Sequence, residues 1–158
     1  MKIVKKILVA LLFVFVVMQF FGPDRNQGEL ASIDNFIADT NPPEKVHGIL
    51  KNTCFDCHSD VTRYPWYSSI TPVNYWMAEH VEDGKKHFDV SDWENYSVKK
   101  KRHKLEELIE EVKEKKMPLE SYTYTHDDAK LTDEEIKAIV EWAEMARFSY
   151  VMREEQPQ

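Results

Sequence analysis

The chain has 158 residues, 42% hydrophobic and 31% charged, with a formal net charge of −7 and a mean hydropathy of −0.55. Four glycines and seven prolines exclude collagen-like and low-complexity chains, and 12% aromatic content argues against wholesale disorder. The acidic balance argues against nucleic acid as a partner, because phosphate binding needs clustered Lys and Arg, and two cysteines are too few for a disulfide framework.

Ile7 to Phe21 form an apolar run interrupted only by Gln19, with Lys2, Lys5 and Lys6 ahead of it and Gly22-Pro23-Asp24 behind. The run reads as a membrane-targeting segment, and counting from Ile3 it reaches 19 residues if Lys5 and Lys6 snorkel. The exit lacks the small-x-small pattern of a cleaved signal peptide, so residues 1–23 are expected to be an uncleaved anchor. The leading lysines then put the N-terminus inside. That makes a single-pass protein of the cytoplasmic membrane with a periplasmic domain. Residues 1–23 hold three of the 21 basic residues and none of the 28 acidic ones, so the remainder carries a formal −10.

Residues 24–41 are Gly-, Asn- and Asp-containing with weak periodicity and read as a tether closed by Asn41-Pro42-Pro43. A domain is expected over 42–150 and a flexible tail over 151–158. Its first helix follows Pro43, with Val46, Ile49 and Leu50 at helical spacing, and runs into Cys54. Residues 59–70 form an aromatic loop. Thr71-Pro72 opens a second helix, with Val73, Trp76, Met77 and His80 on one face, ending near Gly84. A long charged helix covers about Val98 to Lys116, burying Leu105, Leu108, Ile109 and Val112, and Pro118 stops it. Thr132 and Glu135 make a capping box for a last helix through about Phe148. Nothing reads as a strand, and the basic run Lys99–Lys104 reads as a solvated helix face.

One motif carries chemistry: Cys54-Phe55-Asp56-Cys57-His58. Thiols three residues apart share one face of a helical turn, where they can add to the two vinyl groups of a haem edge, and the next residue delivers imidazole to the iron. A redox dithiol, a zinc site and a strained disulfide are the competing readings. Zinc lacks a second pair of ligands at the right spacing, and a thioredoxin-like pair lacks its strand-to-helix context. The expected cofactor is one covalent haem c on Cys54 and Cys57, with His58 as proximal ligand. For the sixth position Met117 is favoured, because Pro118 turns the chain there. The alternatives are a histidine, His80 or His126, or an open site. Trp66, Tyr67, Trp76 and His80 are candidates for the haem wall.

Residues Cys54–Trp93, with Tyr-Pro-Trp-Tyr-Ser after His58 and His-Val-x-x-Gly ending at Gly84, then Lys116–Glu135 and a last helix holding Trp142, closely resemble the small bacterial haem-binding domain family of c-type cytochrome-like proteins. The resemblance covers about Pro42 to Trp142. It implies covalent haem through Cys54 and Cys57, His58 as axial ligand and, by similarity to mono-haem cytochromes c, Met117 as the second. It supplies a cofactor rather than a reaction.

The expected fold is all-α: a cytochrome c-like domain of about four helices around one haem, preceded by a transmembrane helix. The expected function is single-electron transfer, not catalysis, with redox partners that dock through a basic surface. The alternatives are a haem-based sensor or peroxidase-like enzyme with an open sixth site, and haem as a structural staple.

Overall fold

The computed structural model describes residues 2–155, with side chains through Arg153, so the last three positions of the expected tail lie outside the described residues. In chain order the α-helices are α1 (Lys2–Met18), α2 (Asp34–Thr40), α3 (Glu44–Thr53), α4 (Phe55–His58), α5 (Val73–His87), α6 (Val98–Lys113), α7 (Glu120–Thr123) and α8 (Asp133–Glu155). Short 3-10 turns link several of them. Among the described residues the only β pairing is an isolated antiparallel bridge between Gln27 and Val61. The helices expected from periodicity are α3, α5, α6 and α8, and the expected count of about four is corrected by the shorter α2, α4 and α7 and by α1.

The helices start where local chemistry allows. Ser97 caps α6 by accepting from the Lys100 amide at 3.2 Å. Thr132 and Glu135 form the reciprocal box ahead of α8, with Thr132 Oγ1 accepting from the Glu135 amide at 3.2 Å and Glu135 Oε2 accepting from the Thr132 amide at 2.9 Å. Thr71 does not cap α5. Its hydroxyl donates to the Phe21 carbonyl at 3.1 Å instead.

α6 and α8 pack antiparallel. The ion pairs Glu106–Arg147 and Lys113–Glu144 join rising numbers on one helix to falling numbers on the other. Between them Leu105 and Val112 meet Ile139, Val140, Ala143 and Ala146 in one buried cluster. The aromatic half of the core is organised by Phe36, which is 0% exposed. Its ring makes edge contacts with Phe55, Phe88, Trp93 and Trp142 at centroid separations of 5.0–6.3 Å, the preferred geometry for aromatic quadrupoles.

Phe36 lies inside the segment expected to be a tether, and that expectation is corrected. Residues 26–28 strap the loop after α4: Asn26 Nδ2 donates to the Ser59 carbonyl and Thr62 Oγ1, and the Gly28 amide donates to the Asp60 carbonyl. Ile33 and Phe36 then enter the core. Trp142 Nε1 donates to the Thr40 carbonyl at 2.9 Å, which pins the end of α2 to α8. Leu30, Ile33, Phe36 and Ile37 lie scattered among polar residues, and only Ile33 and Phe36 of these are buried, so the sequence pattern did not show this.

The membrane expectation is also corrected. No helix among the described residues is long and apolar enough to cross a membrane. α1 has 17 residues, a rise of about 25 Å against a hydrocarbon core of about 30 Å. The apolar run continues to Phe21, but the helix stops at Met18 because Gln19 turns to the Thr71 backbone, its Nε2 donating to the carbonyl and its Oε1 accepting from the amide. The placement in the cytoplasmic membrane, N-terminus inside and domain periplasmic, falls with it.

Candidate functional site

The cysteine-histidine motif forms a turn of its own. α3 ends at Thr53, and α4 carries Phe55 to His58. The Cys57 and His58 amides both donate to the Cys54 carbonyl, closing a tight loop. Phe55 points into the core at 3% exposure. Cys54, Cys57 and His58 are half-buried, Cys54 against the edge of the core, and both cysteines are free thiols. Burial, with Cys57 alongside, pushes the Cys54 thiol up to about 12, and burial with Asp56 pushes Cys57 to about 11. Both stay protonated at neutral pH.

α5 positions the histidine. His58 Nδ1 lies 2.9 Å from the Gly84 carbonyl and 2.9 Å from the Phe88 carbonyl. Carbonyls only accept, so Nδ1 carries the proton and the Nε2 lone pair is free. The Val90 amide donates to the His58 carbonyl at 2.9 Å, and the Phe88 ring lies 5.7 Å from the imidazole. Burial lowers the His58 pKa against the opposing pull of these carbonyls, so the ring is held neutral, as a metal ligand must be.

Gly84 makes this approach sterically feasible. A Cβ there would sit 2.6 Å from the Cys57 carbonyl oxygen and 3.1 Å from its Cβ, so only glycine lets α5 lie against the turn. The next residue, Lys85, pairs with Asp60 and lies 3.6 Å from Asp89, fastening the end of α5 to the loop after the motif.

The other expected residues are placed less tightly. Met117 is partly buried against the core margin that also takes Cys54 and Phe88. Trp66 is 80% exposed and stands edge-on to Tyr67 at 5.9 Å. Tyr67 donates to Thr125 Oγ1 at 3.0 Å. Trp76 is 48% exposed and lies over His80 at 4.4 Å, while His80 Nδ1 donates to the Trp76 carbonyl. Among the described residues, no hydrogen bond or ring contact joins Trp66, Tyr67, Trp76 or His80 to the cysteines or His58. His126 stacks on Tyr122 at 4.1 Å and donates from Nδ1 to the Tyr122 carbonyl.

Sequence reasoning missed Asp56, Arg63, Tyr122, Gly84 and Phe88. Asp56 is 4% exposed and accepts from Arg63 and Tyr122. The hydrogen bond from Arg63 and the charge of Asp56 hold the guanidinium firmly protonated, and burial with the Asp56 bond pushes the Tyr122 phenol well above its ordinary value. A carboxylate between two cysteines was the one available signal. Among the described residues no cluster of three or more His, Cys, Asp or Glu is arranged to hold a bare metal ion.

The fold and this turn define a small helical domain that presents two protonated thiols and one neutral imidazole from adjacent residues. Compared with known families, residues 13–145 match the haem-binding domain family, and the chain belongs to it. No curated protein and no solved structure matches. The residues present fit the group that the family binds: the thiols are free and half-buried, and the imidazole has its distal nitrogen unclaimed while its proximal nitrogen is fixed by two carbonyls.

Proposed function

We propose that the domain binds one haem covalently as a c-type centre and passes single electrons between protein partners. The observation that carries this reading is the state of His58: Nδ1 is taken up by the Gly84 and Phe88 carbonyls, which leaves Nε2 without a hydrogen-bond partner among the described residues, one residue from a free thiol. Each thiol would add its S–H across a vinyl C=C of the haem, sulfur to one carbon and the proton to the other, with no electrons gained or lost. Protonated Cys54 and Cys57 are the form that supplies this proton. His58 Nε2 and Met117 Sδ would hold the iron. When bound, haem supplies a one-electron iron couple whose potential a thioether ligand raises. The Gly84 and Phe88 carbonyls increase the basicity of the imidazole and hold its orientation. The acidic balance outside residues 1–23 suits partners with basic docking surfaces.

The test is the pyridine haemochrome spectrum of the purified chain together with its intact mass. Haem retained through denaturation, and lost in Cys54→Ala/Cys57→Ala, supports covalent attachment. Release of all haem from the unsubstituted protein by denaturant refutes it. A high-spin ferric spectrum unchanged by Met117→Ala would remove Met117 and favour an open-site sensor or peroxidase-like enzyme.

A further inference from the structure

Nothing in thiol addition or imidazole coordination calls for a carboxylate between the cysteines, yet Asp56 is buried there. It accepts from the Arg63 amide at 2.9 Å, from Arg63 Nε at 3.1 Å and Nη2 at 3.0 Å, and from the Tyr122 hydroxyl at 2.6 Å. Arg63 Nη2 also donates to the Asn52 carbonyl at 2.9 Å, so the guanidinium ties the end of α3 to the same point. Charge-assisted bonds of this kind are short and directional.

Tyr122 lies in α7, five residues beyond Met117. The segment's other ties include the Met117 amide donating to the Glu111 carbonyl of α6 at 3.2 Å, the Met117 side chain against the core, and local turns from Tyr122 and Thr123 to Leu119 and from Thr125 to Tyr122, while Tyr124 is 71% exposed. The Tyr122–Asp56 bond is the shortest hydrogen bond between that segment and the α4 turn, and Tyr67 to Thr125 supplies a second tie from the aromatic loop.

We infer that Asp56, Arg63 and Tyr122 form a clasp that fixes the Met117 segment relative to the cysteine-histidine turn, making all three positioning residues for the sixth ligand. The inference deepens the proposed haem function and rests on it for the role of Met117. The clasp holds the segment whether or not the iron is present, so ligation by Met117 costs little ordering entropy. Without it, the segment moves and an outside ligand competes.

The test compares the full chain with Tyr122→Phe, Asp56→Asn and the double variant. Imidazole binding to the ferric protein, followed by its visible spectrum, is expected to tighten about tenfold in either single variant. The double variant is expected to add little more, because the two side chains meet in one shared contact that either change weakens. Amide hydrogen exchange over residues 117–126 is expected to accelerate in the same variants. Unchanged exchange together with unchanged imidazole affinity overturns the clasp. If Met117→Ala leaves the spectrum of the unsubstituted protein unaltered, the Met117 assignment fails, and the exchange measurement still decides the clasp. Arg63→Gln removes a side chain that is 44% exposed, so it gives the same readouts if Tyr122→Phe or Asp56→Asn does not fold.

Discussion

Gly84 is small because the Cys57 carbonyl occupies the place its side chain would take. In Gly84→Ala the helix gains a better helix former, worth about 1 kcal/mol, but the obstacle is backbone and cannot swing away. A net loss of about 1–3 kcal/mol is expected from overpacking, read as a lower urea midpoint. The His58 Nδ1 bonds should lengthen as α5 moves off, leaving the imidazole less basic and raising the reduction potential of the loaded protein by less than Met117→Ala lowers it. The chemistry of Cys54, Cys57 and His58 was legible in the sequence because their spacing is local and the turn that holds them is one turn long. The carbonyls of Gly84 and Phe88 were not, since they reach His58 across 26 and 30 residues and a carbonyl belongs to every residue alike.

α2 is the element that sequence periodicity did not show. Phe36 contacts four other aromatic rings, so Phe36→Ala is expected to cost about 3–5 kcal/mol, measurable by chemical denaturation, where a tether residue would cost nothing. Asp39, one turn on from Phe36 and bonded to the same Trp93, accepts from Lys101, Trp93, Tyr150 and Arg153, tying α2 to α6 and α8. Burial alone would raise its pKa, but the bonds from Tyr150, Arg153 and Lys101 outweigh that and hold it well below the usual carboxylate range. Its folded pKa is therefore depressed relative to an unfolded value of about 3.9. The stability it contributes is fully present above about pH 4 and is lost as the pH falls through the folded value. Asp39→Asn should remove about 2–4 kcal/mol at pH 7 and flatten the acid limb below pH 4, which denaturation midpoints at pH 7 and pH 3 will show. α3, α6 and α8 were legible because each buries a regular apolar stripe, whereas α5 buries only Val81 and leaves Trp76 of its expected face 48% exposed. α2 buries Phe36 and Thr40, too few to mark a period.

At the scale of the whole molecule, the charge predicts behaviour that no single contact does. With three of the 21 basic residues and none of the 28 acidic ones in 1–23, the rest of the chain has a formal −10. Electron exchange with a cationic partner protein should slow as salt rises from 10 to about 200 mM, because screening shortens the range of attraction. Stopped-flow rates that are flat in salt would refute electrostatic docking. The helical class was legible throughout, whereas the length of α1 was not, since an apolar run does not say where the helix inside it ends. Gln19 ended it by bonding to Thr71, a partner 52 residues away.

Trp142 reaches back to Thr40 across 102 residues, and Phe36 rests on the same indole. A ribosome delivers the chain from its N-terminal end, so the cysteine-histidine stretch emerges well before the helix that completes its core. Until α8 arrives, the aromatic hub lacks one of its walls and the end of α2 lacks its anchor.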